Sequence, residues 1–177
     1  MSPLEQKDVL ETFKVLVDTR EQKSKRAESR YRLFGSFDRV KLDYGDYAYN
    51  AQLPSGQWLH PPGAAIYPAV SIERKMNLDE LAECFTWGRK RFQAEFERAT
   101  EHGARVYLLV ENATWENLVN GKYRSKFEPA AFEASLLAWQ ARYGFSLIFC
   151  KEETSGRLIK NILFRELKER LERGDYG

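Results

Sequence analysis

Short apolar runs alternating with longer amphipathic stretches constrain this chain more than any other feature of its sequence. Runs that suit buried strands occupy 14–17, 70–75, 105–111 and 145–150, and helical spacing follows each of the last three. Strands separated by helices need crossover connections, which lay the helices against the faces of a sheet. The segment 40–49 alternates, with Val40, Leu42 and Tyr44 on one side, until Gly45-Asp46 interrupts it. Pro54-Ser55-Gly56 marks a turn, so a hairpin is expected ahead of Pro61-Pro62-Gly63. Asn77 can cap a helix that has Asp79 and Glu80 in its first turn, where the dipole favours acids. Leu78, Leu81, Ala82, Phe85, Phe92, Phe96 and Ala99 keep helical spacing as far as Gly103, which predicts one long helix. Further helices are expected over 129–143, stopped by Gly144, and over 156–173. The fold class expected is α/β, a central mixed sheet flanked by helices on both faces of a single domain.

Composition closes off other classes. Of 177 residues, 43% are hydrophobic and 14% aromatic, enough to fill a core, which excludes a wholly disordered chain. The longest apolar runs fall far short of the ~20 residues that span a bilayer, and residues 1–12 contain no apolar core of a signal peptide. Cys84 and Cys150, each flanked by apolar residues, read as reduced thiols of an intracellular protein, with no zinc spacing. Lys and Arg number 28 against 26 acids, a net charge of +2, yet the charges are clumped. Lys23, Lys25, Arg26, Arg30 and Arg32 form one cluster, Arg89, Lys90 and Arg91 a second, and Lys122, Arg124 and Lys126 a third. Such patches permit a polyanionic partner without requiring one, since a solvated surface looks the same.

The acids carry more information. Asp18-Thr19-Arg20-Glu21, Gly45-Asp46-Tyr47 and Ile72-Glu73-Arg74-Lys75 all fall at strand ends or turns. Alternate residues of a strand share a face, so Glu73 and Lys75 point together while Arg74 joins Val70 and Ile72 on the other side. A carboxylate beside an ammonium group suits metal-assisted hydrolysis, although an ordinary ion pair has the same spacing. If Asp18, Glu21 and Asp46 converge on Glu73, one lysine cannot neutralise them, whereas Mg²⁺ or Mn²⁺ can. Arg89 falls on the apolar stripe of the expected long helix, where a guanidinium needs an acid, a phosphate, or a path to the surface. Arg20 can steady Asp18 and Glu21 or meet a phosphate. Trp58 can stack on an exposed base or cover the core edge, and Trp87, Trp115 and Trp139 read as core or subunit-contact residues. His102 suits a helix C-terminus, and His60 sits in a Pro-rich loop.

These residues resemble a known family. Val17-Asp18-Thr19-Arg20-Glu21, Gly45-Asp46-Tyr47 and the run from Ile72-Glu73-Arg74-Lys75 through Asp79 are similar to the XPF-type nuclease signature V-D-x-R-E, G-D-Y, E-R-K-x-x-x-D-L. Gly88-Arg89 fills the G-R slot of the following helix, and 107–111 matches the strand after it. The resemblance covers roughly 14–165 and implies a restriction-endonuclease-like fold that hydrolyses phosphodiester bonds of branched or junction-containing DNA with a divalent metal. It implies Asp46, Glu73 and Asp18 as metal ligands, Glu21 as a further acid and Lys75 as the group that assists the water. Arg20, Arg74, Asp79 and Arg89 would support the site or meet phosphate. Apart from the resemblance, the Asn120-Gly121-Lys122 turn with Arg124 can contact a phosphate backbone, and a solvated loop would look the same.

The domain reading is a short extension over 1–13 and a nuclease unit over 14–173 carrying a hairpin insertion at about 50–66. The helix-hairpin-helix domain usual in the family has no place in it. A homodimer through apolar surfaces of the C-terminal helices is expected, with no membrane and no organic cofactor. The expected location is intracellular, in cytoplasm or nucleoid, in a free-standing bacterial or phage version. A less selective nuclease, a Holliday-junction resolvase, and a non-catalytic DNA-binding subunit remain the alternatives.

Overall fold

The computed structural model describes residues 1–176. Its helices are α1 (Pro3–Glu11), α2 (Lys25–Phe34), α3 (Leu78–Phe85), α4 (Arg89–Glu101), α5 (Trp115–Val119), α6 (Pro129–Tyr143) and α7 (Glu152–Arg173). Its strands are β1 (Lys14–Asp18), β2 (Phe37–Val40), β3 (Tyr47–Asn50), β4 (Val70–Lys75), β5 (Arg105–Glu111) and β6 (Ser146–Cys150). They form one sheet in the order β2-β1-β3-β4-β5-β6. β1 pairs parallel with β2 and antiparallel with β3, β3 and β4 are antiparallel, and β4, β5 and β6 run parallel. The sheet is therefore mixed, as expected.

Each face has its own core. On one, Leu108 and Val110 of β5 meet Leu81, Phe85, Phe92, Phe96, Phe132 and Trp139 from α3, α4 and α6. On the other, Val15, Tyr47, Ile72 and Leu109 meet α2 and the Ile159, Leu163, Leu167 and Leu171 stripe of α7. Trp139 anchors the first core, stacked on Phe92 at 5.4 Å and edge-on to Phe85 at 4.9 Å. Rings of this size each withdraw a large apolar area from water, so they fix where α4 lies over the sheet. Among the described residues, no helix is long and apolar enough to cross a membrane.

Four local departures from the expectation have physical causes. Residues 40–49 do not form one strand, because β2 and β3 flank β1 on opposite sides and the chain must cross the end of β1 between them. The expected long helix is two helices, broken where Thr86 turns back, its hydroxyl donating to the Ala82 carbonyl at 3.0 Å, and Gly88 N–H donates to the Glu83 carbonyl at 2.9 Å. The basic stretch read as a charge cluster is helix α2, capped by Ser24, whose hydroxyl accepts from Ala27 N–H at 3.1 Å. The segment 1–13 carries α1, closed by a capping box between Ser2 and Glu5, with Val9 buried against α7. In the 50–66 region, Gln52 and Trp58 form an antiparallel bridge, and Lys14 Nζ lies 4.1 Å over the Trp58 ring. Trp58 is half-buried there, and its neighbour Leu59 packs against the core.

Candidate active site

The site begins with a turn that only glycine fits. Gly45 has φ +75°, and a Cβ there would stand 2.7 Å from the Ser71 Cβ. That close approach sets Asp46 between β1 and β4. Its N–H donates to the Ile72 carbonyl at 2.8 Å, its carbonyl accepts from Asp18 N–H at 2.8 Å, and its Oδ2 accepts from Arg74 N–H at 2.7 Å.

β4 supplies the next two groups. Glu73 and Lys75 share a face, as their spacing predicts, and Lys75 Nζ donates to Glu73 Oε1 at 2.5 Å with both side chains nearly buried. The ammonium group also lies 5.1 Å over the Phe92 ring of α4. One turn further along α4, Glu95 turns to the same place and reaches back to Arg20 at 3.6 Å. Asp46, Glu73, Lys75 and Glu95 line one cleft of about 760 Å³, walled also by Glu21, Arg91 and Arg124.

Charge is unevenly distributed in this cleft. Burial pushes the Asp46 carboxyl well above its ordinary value, and the neighbouring Glu73 pushes it further. Burial likewise raises Glu73 against the pull of Lys75, and raises Glu95, which faces Asp46. Burial works to lower Lys75, but Glu73 and Asp46 outweigh it and hold the ammonium protonated. Three acids share one lysine. Among the described residues, no three carboxylate, histidine or cysteine ligands are arranged as a ready-made metal cage. What the cleft offers is a pair of hard oxygen donors, Asp46 and Glu73, with Lys75 as the cation nearest to them. That fits Mg²⁺ or Mn²⁺, which keep several water ligands and take few from protein.

Arg74 points to the other face of β4, into a second charge network that borders the same cleft through Glu21, Arg30 and Arg74. Arg74 donates to Glu111 Oε2 and Glu21 Oε1, each at 3.0 Å. Arg30 of α2 donates to the same Glu21 oxygen at 2.9 Å and pairs with Glu111 at 3.6 Å. The Tyr47 hydroxyl donates to Glu21 at 2.9 Å. Two cations and two anions balance there.

The expected site residues divide accordingly. Asp46, Glu73 and Lys75 come together, with Glu21, Arg20, Arg74, Asp79 and Arg124 also on the cleft wall. Asp18 takes a different part from the metal ligand expected. It is 1% exposed, and its oxygens accept four hydrogen bonds, from Arg20 N–H, Arg20 Nε, Arg20 Nη2 and Leu42 N–H. Asp79 fastens the 124–125 loop, accepting from Arg124 and Ser125 N–H at 2.7 and 2.8 Å. Arg89 does not reach the cleft: it is exposed, with its guanidinium 5.6 Å over Trp139, because the helix break puts it in a first turn. Lys122 is exposed and outside the cleft lining.

Glu95, Arg91, Arg30 and Glu111 were missed. Glu95 lies three residues past Phe92 and one before Phe96, so the spacing that drew attention to Arg89 applies to it equally. Arg30 and Glu111 had no signal beyond a charge cluster and a strand end. His60 is away from the cleft, its N–H donating to Asn50 Oδ1 at 2.9 Å. His102 Nδ1 lies 2.8 Å from the Arg98 carbonyl at the end of α4.

Sheet order, helical layers on both faces and a cleft that gathers Asp46, Glu73 and Lys75 make this an α/β domain whose fold is similar to that of XPF. The chain belongs to the ERCC4 domain family, whose model matches residues 17–162. Two solved structures share its fold. XPF from Aeropyrum pernix superposes with a TM-score of 0.57 at 22% identity, over 86% of this chain and 60% of that one. XPF from Aeropyrum pernix in complex with DNA superposes with a TM-score of 0.59 at 23% identity, over 89% of this chain and 66% of that one. This chain therefore spans less than two thirds of the length of either. A search of curated proteins returns no match.

Proposed function

We propose that this chain is a DNA endonuclease that hydrolyses phosphodiester bonds near single-strand/duplex junctions and depends on Mg²⁺ or Mn²⁺. One observation carries the reading: Asp46, Glu73 and Lys75 line one cleft in which acids outnumber the lysine. Family membership supports it, as does the DNA bound to the Aeropyrum pernix relative of the same fold. Asp46 and Glu73 would hold the cation, with water and phosphate oxygens completing its shell. When bound, such an ion polarises the phosphoryl oxygen and lowers the pKa of a coordinated water.

The protein's own groups do the rest. Lys75, paired with Glu73 on the same face of β4, is placed to donate a hydrogen bond that orients water or a phosphate oxygen. Arg20, Arg91 and Arg124 on the cleft wall suit phosphate oxygens, which a guanidinium fork binds in pairs. Asp18 acts by aiming Arg20.

In this reading 14–173 is the nuclease unit, 50–66 is an insertion between β3 and β4, and the protein works inside the cell. Ala134, Leu137, Ala138 and Ala141 form an exposed apolar strip on α6 that suits a second copy, which light scattering would detect as a dimer. Cleavage of flap, fork, four-way and linear duplex DNA is the direct test. Wild type should cut junction substrates with Mg²⁺ or Mn²⁺, and Asp46→Asn and Glu73→Gln should not. Equal activity in those variants refutes the assignment, and equal rates on linear duplex refute the junction preference.

A further inference from the structure

Trp87 lies in the turn between α3 and α4 with 97% of its surface exposed, whereas the other tryptophans are buried or partly buried. Its position is held by the backbone. Thr86 and Gly88 N–H both donate to the Glu83 carbonyl, at 3.2 and 2.9 Å, and a Cβ at Gly88 would crowd that oxygen at 3.2 Å. A rigid turn thus holds the largest side chain of the repertoire in water, where it contributes nothing to either core. Its surroundings are cationic: Arg89, Lys90 and Arg91 follow it and are all exposed. Its neighbour Gly88 and the nearby Arg91 line the active-site cleft.

A fully exposed indole followed in the chain by three exposed cations matches one kind of ligand, the base of an unpaired nucleotide on a charged backbone. A paired duplex keeps its bases stacked inside and offers the triplet only phosphates. We infer that Trp87 stacks on an unpaired base at the rim of the cleft, so that the single-stranded side of a junction is read by this residue. The inference rests on the proposed DNA nuclease reading and adds to it the feature of the substrate that is recognised.

The test is fluorescence anisotropy in EDTA with two labelled DNAs of equal length, one fully paired and one with a short unpaired tract. Trp87→Ala should weaken binding to the DNA with the unpaired tract about fivefold or more and leave the paired duplex unchanged. Trp87→Phe should keep most of the affinity. Indole emission should be quenched by the unpaired tract in wild type and not in Trp87→Ala. Equal affinity of wild type and Trp87→Ala, an equal loss on both DNAs, or a lower sedimenting mass of the variant would each overturn the inference, the last by assigning Trp87 to a contact between copies. If wild type binds the unpaired tract and only the Trp87 dependence fails, the nuclease reading stands; if wild type binds neither DNA, both fall.

Discussion

Arg74→Met should destabilise the protein by about 3–5 kcal/mol, the usual loss when one partner of a buried ion pair is removed. Arg74 makes two contacts of 3.0 Å, to Glu21 and Glu111, and the side chains of Arg74, Arg30, Glu21 and Glu111 are at most 13% exposed. At an effective dielectric near 20, each 3.0 Å contact represents about 5–6 kcal/mol of attraction, most of it offset by desolvation. Methionine keeps the length and apolar stem, so the loss isolates charge: two buried acids are left with Arg30 alone. Adding Glu111→Gln leaves Arg30 and Glu21 as a balanced pair at 2.9 Å. It also neutralises Glu111, whose Oε1 is buried without a hydrogen-bond partner, as is Arg74 Nε. The double variant should therefore recover about 2 kcal/mol or more relative to Arg74→Met. Urea unfolding of wild type, both single variants and the double variant in EDTA measures this coupling. A double variant no more stable than Arg74→Met would show that the loss is one of packing, and the account of a balanced network would fail.

Two further outcomes follow from single positions. Gly45→Ala places a methyl group 2.7 Å from the Ser71 Cβ at a positive φ, so it should destabilise by roughly 1–3 kcal/mol and lower cleavage by moving Asp46, as urea melts and rate measurements would show. Burial holds the His60 imidazole below its ordinary value, so the unfolded chain binds a proton there at a pH where the folded protein does not. Stability contributed by neutral His60 is then present above the unfolded value near ~6.5 and is lost as pH falls below it. His60→Gln should flatten the decline in stability between neutral and mildly acidic pH, and an unchanged slope would refute the burial argument.

Much of the sheet was legible because it rests on hydrophobic period alone. The strands 70–75 and 105–111 and the helix 129–143 coincide with β4, β5 and α6. Glu73 and Lys75 were legible as a pair for the same reason, since strand alternation fixes their face. Their meeting with Asp46 was not, because it depends on β3 and β4 pairing across a long insertion. Asp18 shows the limit from the other side: its motif position was clear, but the Leu42 N–H that occupies its Oδ2 belongs to a connection whose path no local pattern encodes. Arg89 and Glu95 exchanged importance because a break of three residues reset the helix before Arg89.

β4 explains why register matters more here than any single side chain. Glu73 and Lys75 point to the face that holds Phe92, and Arg74 between them points to Glu21 and Glu111 on the other face. A slip of one residue would exchange the two sets, setting the guanidinium against Phe92 and taking it from Glu21 and Glu111. The slip is opposed at one point, where Asp46 donates its N–H to Ile72 and accepts from Arg74 N–H, and at a second, where β4 pairs with β5 along its whole length. Asp46 therefore has two duties that separate by atom. Its main chain and Oδ2 lock the strand that presents Glu73, while Oδ1, which β4 does not engage, is left to the cleft. Asp46→Asn keeps a side-chain oxygen to accept from Arg74 N–H and removes only the charge, whereas Asp46→Ala keeps the main-chain bonds but loses both that acceptor and the charge. If the Oδ2 bond secures the register, Asp46→Ala is less stable than Asp46→Asn in urea, although neither cleaves DNA; equal stability would mean that the main-chain bonds and β5 hold β4 without it.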